Sequence, residues 1–239
     1  MNARASVWAD QEALSRAAAE EVAKRAAVAV ENHGRFDLVL AGGHTPRRLY
    51  EILAAEYRER VNWSKTHLFW GDERYVPPGD PSSNYRMARE SLVQPLGISR
   101  GNVHAMPTSF PDPDAAARAY EETLHGHFGA AGPEFDLVLL GIGPEGHTAS
   151  LFPGSPALEE KKRWVLSVRA PAVPPVRLTL TLVALNAARD VFFLVSGGDK
   201  RAIVRKLRQL KPGEANNYPA ARIAPRGEAV LFLDRAAGG

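Results

Sequence analysis

Three features of this 239-residue chain predict an α/β protein, built on a mainly parallel sheet with helices on both faces. Short apolar runs alternate with helical patterns along the whole length. Three of those runs deliver glycines and a polar residue at their ends, at Gly42-Gly-His-Thr45, Gly141 to Thr148 and Ser196-Gly-Gly-Asp-Lys200. Hydrophobic residues make up 45% of the chain, enough for a full core, and the length fits a single domain over residues 1–239.

The elements follow in order. Gln11 to Asn32 is rich in Ala, Glu, Lys and Arg with helical spacing of its apolar residues, and His33-Gly34 is its stop. Phe36 to Ala41 reads as a buried strand, Gly42 to Pro46 as a tight turn, and Arg47 to Glu59 as a helix entered through proline. His67 to Trp70 is a second strand, followed by a long polar segment, Gly71 to Ser83, and a helix from Asn84 to Leu92. Val103 to Met106 reads as a strand, Asp112 to Phe128 as a helix, and Phe135 to Leu140 as a strand buried on both faces. Thr148 to Ser150 is expected to open a helix. Strands follow at Trp164 to Val168 and Arg177 to Leu180, with a helix over Thr181 to Ala188. Val191 to Ser196 is the last strand before a helix through Leu210, and Ala229 to Leu233 closes the sheet ahead of an unstructured tail, Ala236 to Gly239.

Composition excludes several function classes. The chain has 30 basic and 27 acidic residues, and its one dense basic run is Lys161-Lys-Arg163. That mild balance tolerates anionic substrates without implying nucleic acid. With no cysteine, disulfides, thiol nucleophiles and thiolate metal sites are excluded. Met1 to Asp10 lacks a signal-length apolar core and no stretch reaches the roughly 18 apolar residues of a membrane span, so a soluble cytoplasmic protein is expected.

The chemistry concentrates in the glycine turns. Such turns sit at the carboxyl edge of a parallel sheet, where open α/β folds bind ligands. One Gly-Gly turn alone is more often a packing device. Three of them, with Thr45 and Lys200 at helix starts, resemble an anion cradle for a phosphate monoester. The dinucleotide fingerprint and the Walker loop are both missing, so the phosphate belongs to a small substrate and no cofactor is expected. His147 and Glu145 project into the same crevice and suit acid–base work. Asp72 and Arg74 end another strand; as a surface ion pair they are worth about 0–1 kcal/mol, but their position favours a site role. Asn84 and Arg177 are second-tier candidates, equally well read as a helix N-cap and a salt-bridge partner. His33, His67, His104, His125 and His127 show no metal-ligand spacing with one another, and no metal is expected.

Taken in order, GGHTP (42–46), WGDERYVP (70–77) with SSNYRM (82–87), and GIGPEGHTASLFPG (141–154) resemble the motifs of the 6-phosphogluconolactonase family over nearly the whole chain. The resemblance implies hydrolysis of 6-phospho-D-glucono-1,5-lactone to 6-phosphogluconate, the second step of the oxidative pentose phosphate pathway. It also implies a Rossmann-like fold shared with glucosamine-6-phosphate deaminases and ribose-5-phosphate isomerases. His147 then matches the general base, and Gly42, Gly43 and Thr45 match the phosphate turn. Arg74 and Lys200 match charged contacts to phosphate or lactone, and Gly143 belongs to the loop that carries the base. His44 stands where the family commonly has serine, and Glu145 where many members have aspartate. Either Glu145 or Asp72 orients the imidazole or a water; the oxyanion is met by the amides of Gly141 to Gly146 or by Arg74. The expected partner is a small sugar phosphate lactone, with no nucleic acid or membrane, on a monomer or weak dimer. The competing readings are a glucosamine-6-phosphate deaminase-like enzyme, disfavoured by Leu151-Phe-Pro-Gly154 after the histidine, and a non-catalytic sugar-phosphate binding protein.

Overall fold

Local chemistry marks where the elements begin and end. The computed structural model describes residues 3–129, 132–211 and 213–239. It starts with a strand, β1 (Arg4–Trp8), and a long helix, α1 (Gln11–His33). Asp10 caps α1 by accepting from the Ala13 N–H at 2.8 Å, and Gly34 ends it in the left-handed region at φ 84°. Its buried stripe is mostly alanine, which lets α1 pack closely on α2 (His44–Glu56). Between them runs β2 (Phe36–Leu40), and after α2 comes β3 (Thr66–Trp70).

The remaining elements are β4 (Asp72–Arg74), α3 (Asn84–Ala88), α4 (Gln94–Leu96), α5 (Pro113–Phe128), β5 (Leu137–Leu140), β6 (Val165–Arg169) and β7 (Val176–Leu180). They are followed by α6 (Leu182–Asn186), β8 (Asp190–Val195), α7 (Arg201–Arg208), β9 (Ala229–Asp234) and α8 (Arg235–Gly238). Among the described residues the main sheet has the order β1-β9-β8-β5-β2-β3, with every neighbouring pair parallel. Every residue of β2, β5, β8 and β9 is buried. Successive strand side chains point to opposite faces, so both faces of the sheet are covered, as the continuous apolar runs predict. No helix among the described residues is long and apolar enough to cross a membrane.

The second sheet departs from the expected single-sheet reading. Strands β6 and β7 exist at their expected places but form an antiparallel sheet with β4, in the order β4-β7-β6. The chain leaves β3 through Gly71, whose carbonyl accepts from the Leu180 N–H at 2.8 Å, and so passes directly from one sheet to the other. The expected helix at Thr148 to Ser150 is instead a tight turn, with an isolated Thr148↔Leu151 bridge and Ala149 at φ 47°. The side chains of Thr148 and Ser150 hydrogen-bond to the Gly141 carbonyl and Asp72, competing with helical geometry. Val103 to Met106 makes one bridge, Leu68↔Val103, rather than a strand. The helix starting at Asn84 passes through a π-turn, Arg89–Val93, before α4. The helix expected from Arg47 begins at His44 and ends at Glu56. The tail expected to be unstructured is the short helix α8, capped by Asp234 accepting from the Ala237 N–H at 2.7 Å.

Candidate active site

The carboxyl ends of β2, β5 and β8, three neighbouring strands, open onto one cavity of about 690 Å³. Gly42, Gly43, His44, Thr45, Asp72, Arg74, Asn84, Gly143, Glu145, His147, Arg177 and Lys200 all line it. The three glycine turns thus meet at one sheet edge, as their shared pattern predicts.

The turn after β2 is held from behind. Tyr50 of α2 donates its hydroxyl to the Ala41 carbonyl and accepts from the Ala41 N–H, both at 2.9 Å. Gly43 caps α2 with φ 104° and contributes no side chain to the cap. The first-turn N–H groups of α2 have no intrahelical acceptor and face the cavity end of the sheet. Thr45 Oγ1 lies 2.8 Å from Ser196 Oγ, joining the turn after β2 to the turn after β8. Lys200 brings its ammonium to the same cavity, 3.3 Å from the exposed Asp199 carboxylate.

The loop after β5 is a closed turn. Gly143 N–H donates to the His147 carbonyl, and Gly146 N–H to the Gly143 carbonyl, both at 2.9 Å. A side chain at 143 has no room, since a Cβ there would lie 1.9 Å from His147 Nδ1. That nitrogen sits 2.9 Å from Glu145 Oε1 at contact distance but without hydrogen-bond alignment. The imidazole stacks on Phe152 at 4.3 Å, which fixes its plane. Asp72 is committed elsewhere: it accepts from Asn84 Nδ2 at 3.1 Å and from Ser150 Oγ at 2.6 Å. Of the two carboxylates, Glu145 is therefore the neighbour of His147.

The third wall comes from the small sheet. Arg74 and Arg177 are register partners across β4 and β7. Among the described residues neither makes an ion pair; Arg177 Nε donates to the Pro174 carbonyl at 2.7 Å, Arg74 donates to the Ser82 carbonyl, and Arg74 Nε is buried without a partner. Burial and the neighbouring Arg74 guanidinium pull Arg177 below the usual arginine value. Two adjacent guanidiniums without a carboxylate partner favour an anionic ligand. The salt-bridge reading of Arg177 is thereby set aside, and the cap of α3 is Ser83 rather than Asn84. Asn84 instead packs on Gly42, where a Cβ would lie 2.0 Å from its Oδ1.

Glu73 was not singled out by sequence, yet it organises this wall. Its buried carboxylate accepts from the N–H groups of Arg74, Asn84 and Tyr85 and from Ser83 Oγ, at 2.7 to 3.0 Å. Burial raises its pKa above the usual glutamate range against those donors. The only sequence signal was its place between Asp72 and Arg74, with Ser83-Asn-Tyr85 ten residues on. Ser150, Phe152 and the hairpin tip Pro171 to Val173 also line or brace the cavity without having been foreseen.

Fold and site together define a class, the parallel α/β enzymes whose strand-end cavity favours a small anion. Residues 9–232 match the family of Glucosamine-6-phosphate isomerases/6-phosphogluconolactonase, and the chain belongs to that family. It is 42% identical to a 6-phosphogluconolactonase of Synechocystis over 91% of this chain and 89% of the relative. Against the 6-phosphogluconolactonase of Mycobacterium tuberculosis it is 39% identical, over 98% of this chain and 97% of the other. The crystal structure of 6-phosphogluconolactonase from Thermotoga maritima superposes with a TM-score of 0.84 at 31% identity, covering 98% of this chain and 100% of that one. A monomeric glucosamine-6-phosphate deaminase, at 22% identity and TM-score 0.83 over 98% of both chains, shares the fold.

Proposed function

We propose that this chain hydrolyses 6-phospho-D-glucono-1,5-lactone, with His147 as general base, in the oxidative pentose phosphate pathway. The observation that carries the reading is an imidazole beside a carboxylate, in a cavity whose opposite walls present a free helix N-terminus and two guanidiniums without carboxylate partners. The phosphate is held by the first turn of α2 and by charged groups from Arg74, Arg177 and Lys200. Each charge-assisted contact contributes about 1.5–3 kcal/mol, so two or three fix the register of the sugar.

His147 takes a proton from water as the oxygen attacks the lactone carbonyl carbon. Glu145 stabilises the imidazolium that forms, at a distance of 2.9 Å. The oxyanion is met by amides of the Gly141 to Gly146 loop. As the ring C–O bond breaks, the imidazolium returns its proton to the leaving ring oxygen, giving a free hydroxyl and a carboxylic acid that releases its remaining proton to solvent to become the carboxylate. Asp72 acts as a brace, tying Asn84 to Ser150.

The test is to generate the lactone in situ with glucose-6-phosphate dehydrogenase and follow 6-phosphogluconate formation above the spontaneous rate. The expected result is acceleration by the wild type and a loss of about 10²- to 10⁴-fold in His147→Ala. Equal acceleration by both would move the base elsewhere. No acceleration, with ammonia released from glucosamine 6-phosphate, would replace the reading by a deaminase; binding without turnover would leave a sugar-phosphate binding protein.

A further inference from the structure

We propose that His67, His104 and His127 form a second site, at the amino edge of the main sheet, for one divalent cation of the zinc class. One ligand nitrogen from each ring lies within 4.8 Å of the others. His67 Nδ1 and His104 Nε2 are 3.1 Å apart. A tetrahedral zinc ion with bonds of about 2.0–2.1 Å holds its donors about 3.3 Å from one another. The first pair is therefore at ligand spacing already, and the third ring closes in by at most about 1.5 Å.

The three rings come from segments far apart in the chain. His67 lies on β3, His104 follows the Leu68↔Val103 bridge at that strand's open edge, and His127 sits in the last turn of α5. Phe69 forms the floor, stacked on His104 at 4.5 Å and in edge contact with His127 at 5.1 Å. All three histidines are partly exposed, His127 at 12% of its side chain. Behind His127, Asp37 Oδ1 lies 2.8 Å from Nε2, and Arg35 Nε donates to Oδ2 at 2.8 Å. A carboxylate hydrogen-bonded to a ligating imidazole fixes the ring and raises its basicity.

The donor set selects the metal. Imidazole nitrogens suit Zn²⁺, Co²⁺, Ni²⁺ and Cu²⁺ and leave Mg²⁺ and Ca²⁺, which prefer oxygen, without ligands. Three histidines leave a fourth position for water. The proton shared by His67 and His104 moves to the outer nitrogen of the ring that carries it, which frees both facing nitrogens for the ion. This site is separated from the cavity by the length of β3, roughly 13 Å at about 3.3 Å per residue, and its role is structural: it clamps α5 to the edge strand.

Metal-free full-length protein titrated with Co²⁺, as a visible-absorption probe, and with Zn²⁺ in equilibrium dialysis tests the proposal. The expected result is one equivalent bound, with the absorption of nitrogen-ligated cobalt and a higher Tm. His104→Gln and His67→Asn, each checked for a native circular dichroism spectrum, should weaken binding at least tenfold and leave lactone hydrolysis unchanged. Asp37→Asn should weaken it about 10- to 100-fold, and His147→Ala should leave it intact. No stoichiometric binding, or binding lost in His147→Ala and kept in both His104→Gln and His67→Asn, would overturn the site.

Discussion

At the amino end of the main sheet every buried carboxylate has a cationic or imidazole partner: Asp37 with Arg35 and His127, Asp136 with His33, Asp190 with Arg25. At the carboxyl end two arginines face each other across β4 and β7, with no such partner among the described residues. The two ends contain similar residue types, and the difference lies in which charges are left over. Paired charges tie elements together, whereas unpaired ones in a cavity mark where a ligand supplies the missing counter-charge.

That contrast breaks most sharply at Gly143. Gly143→Ala puts a methyl where His147 Nδ1 now lies, so it displaces the base without removing it. The expected loss in kcat approaches that of removing a general base, about 10²- to 10⁴-fold, with an unchanged circular dichroism spectrum; activity near wild type would mean that the imidazole position is not needed. Arg177→Ala and Arg74→Ala come next. Each is expected to raise KM about 10- to 150-fold, from contacts of about 1.5–3 kcal/mol, with kcat little altered in steady-state assays.

At the opposite end the signature reverses. Asp37→Ala strips His127 and Arg35 of their acceptor and should lower stability by about 1–3 kcal/mol in denaturant melts, while KM stays within experimental error. A shifted KM would couple the two ends and undo the comparison. The smallest effect concerns Glu73, whose pKa burial raises above its ordinary 4.5. Over the window just above that value the folded protein keeps a proton that the unfolded chain has released, so stability falls as pH rises through it. Glu73→Gln cannot titrate and should flatten that part of the Tm–pH profile; an unaltered slope would locate it in another group.

The buried parallel strands and the glycine turns were legible because both are local signals. An apolar run covered on both faces needs no partner to be recognised, and a glycine pair after it marks a turn wherever the strand lies. The same reasoning missed what depends on pairing. β1, with the sequence RASVW and a half-exposed pattern, becomes a strand only by lying along β9. β4 is three residues long and exists through its register with β7. The turn at Thr148 to Ser150 was misread because helix-start chemistry and side-chain bonding to Asp72 use the same hydroxyl residues. In the site, the motifs mark the charged and glycine residues that line the cavity but neither the hairpin tip Pro171 to Val173 nor Glu73, which acts from behind them. The histidine cluster was invisible for a plainer reason: its members are separated by dozens of residues and meet only after α5 has docked.

The facing pair Arg74 and Arg177 also bears on how a turnover ends. Under the proposed reaction the ligand enters with its charge confined to the phosphate and leaves with a carboxylate added. The guanidiniums proposed to hold the phosphate meet the same phosphate on the product, so the acid and the lactone compete for one wall. Accumulating acid is then expected to restrain the enzyme that formed it, by competing with the lactone for that wall.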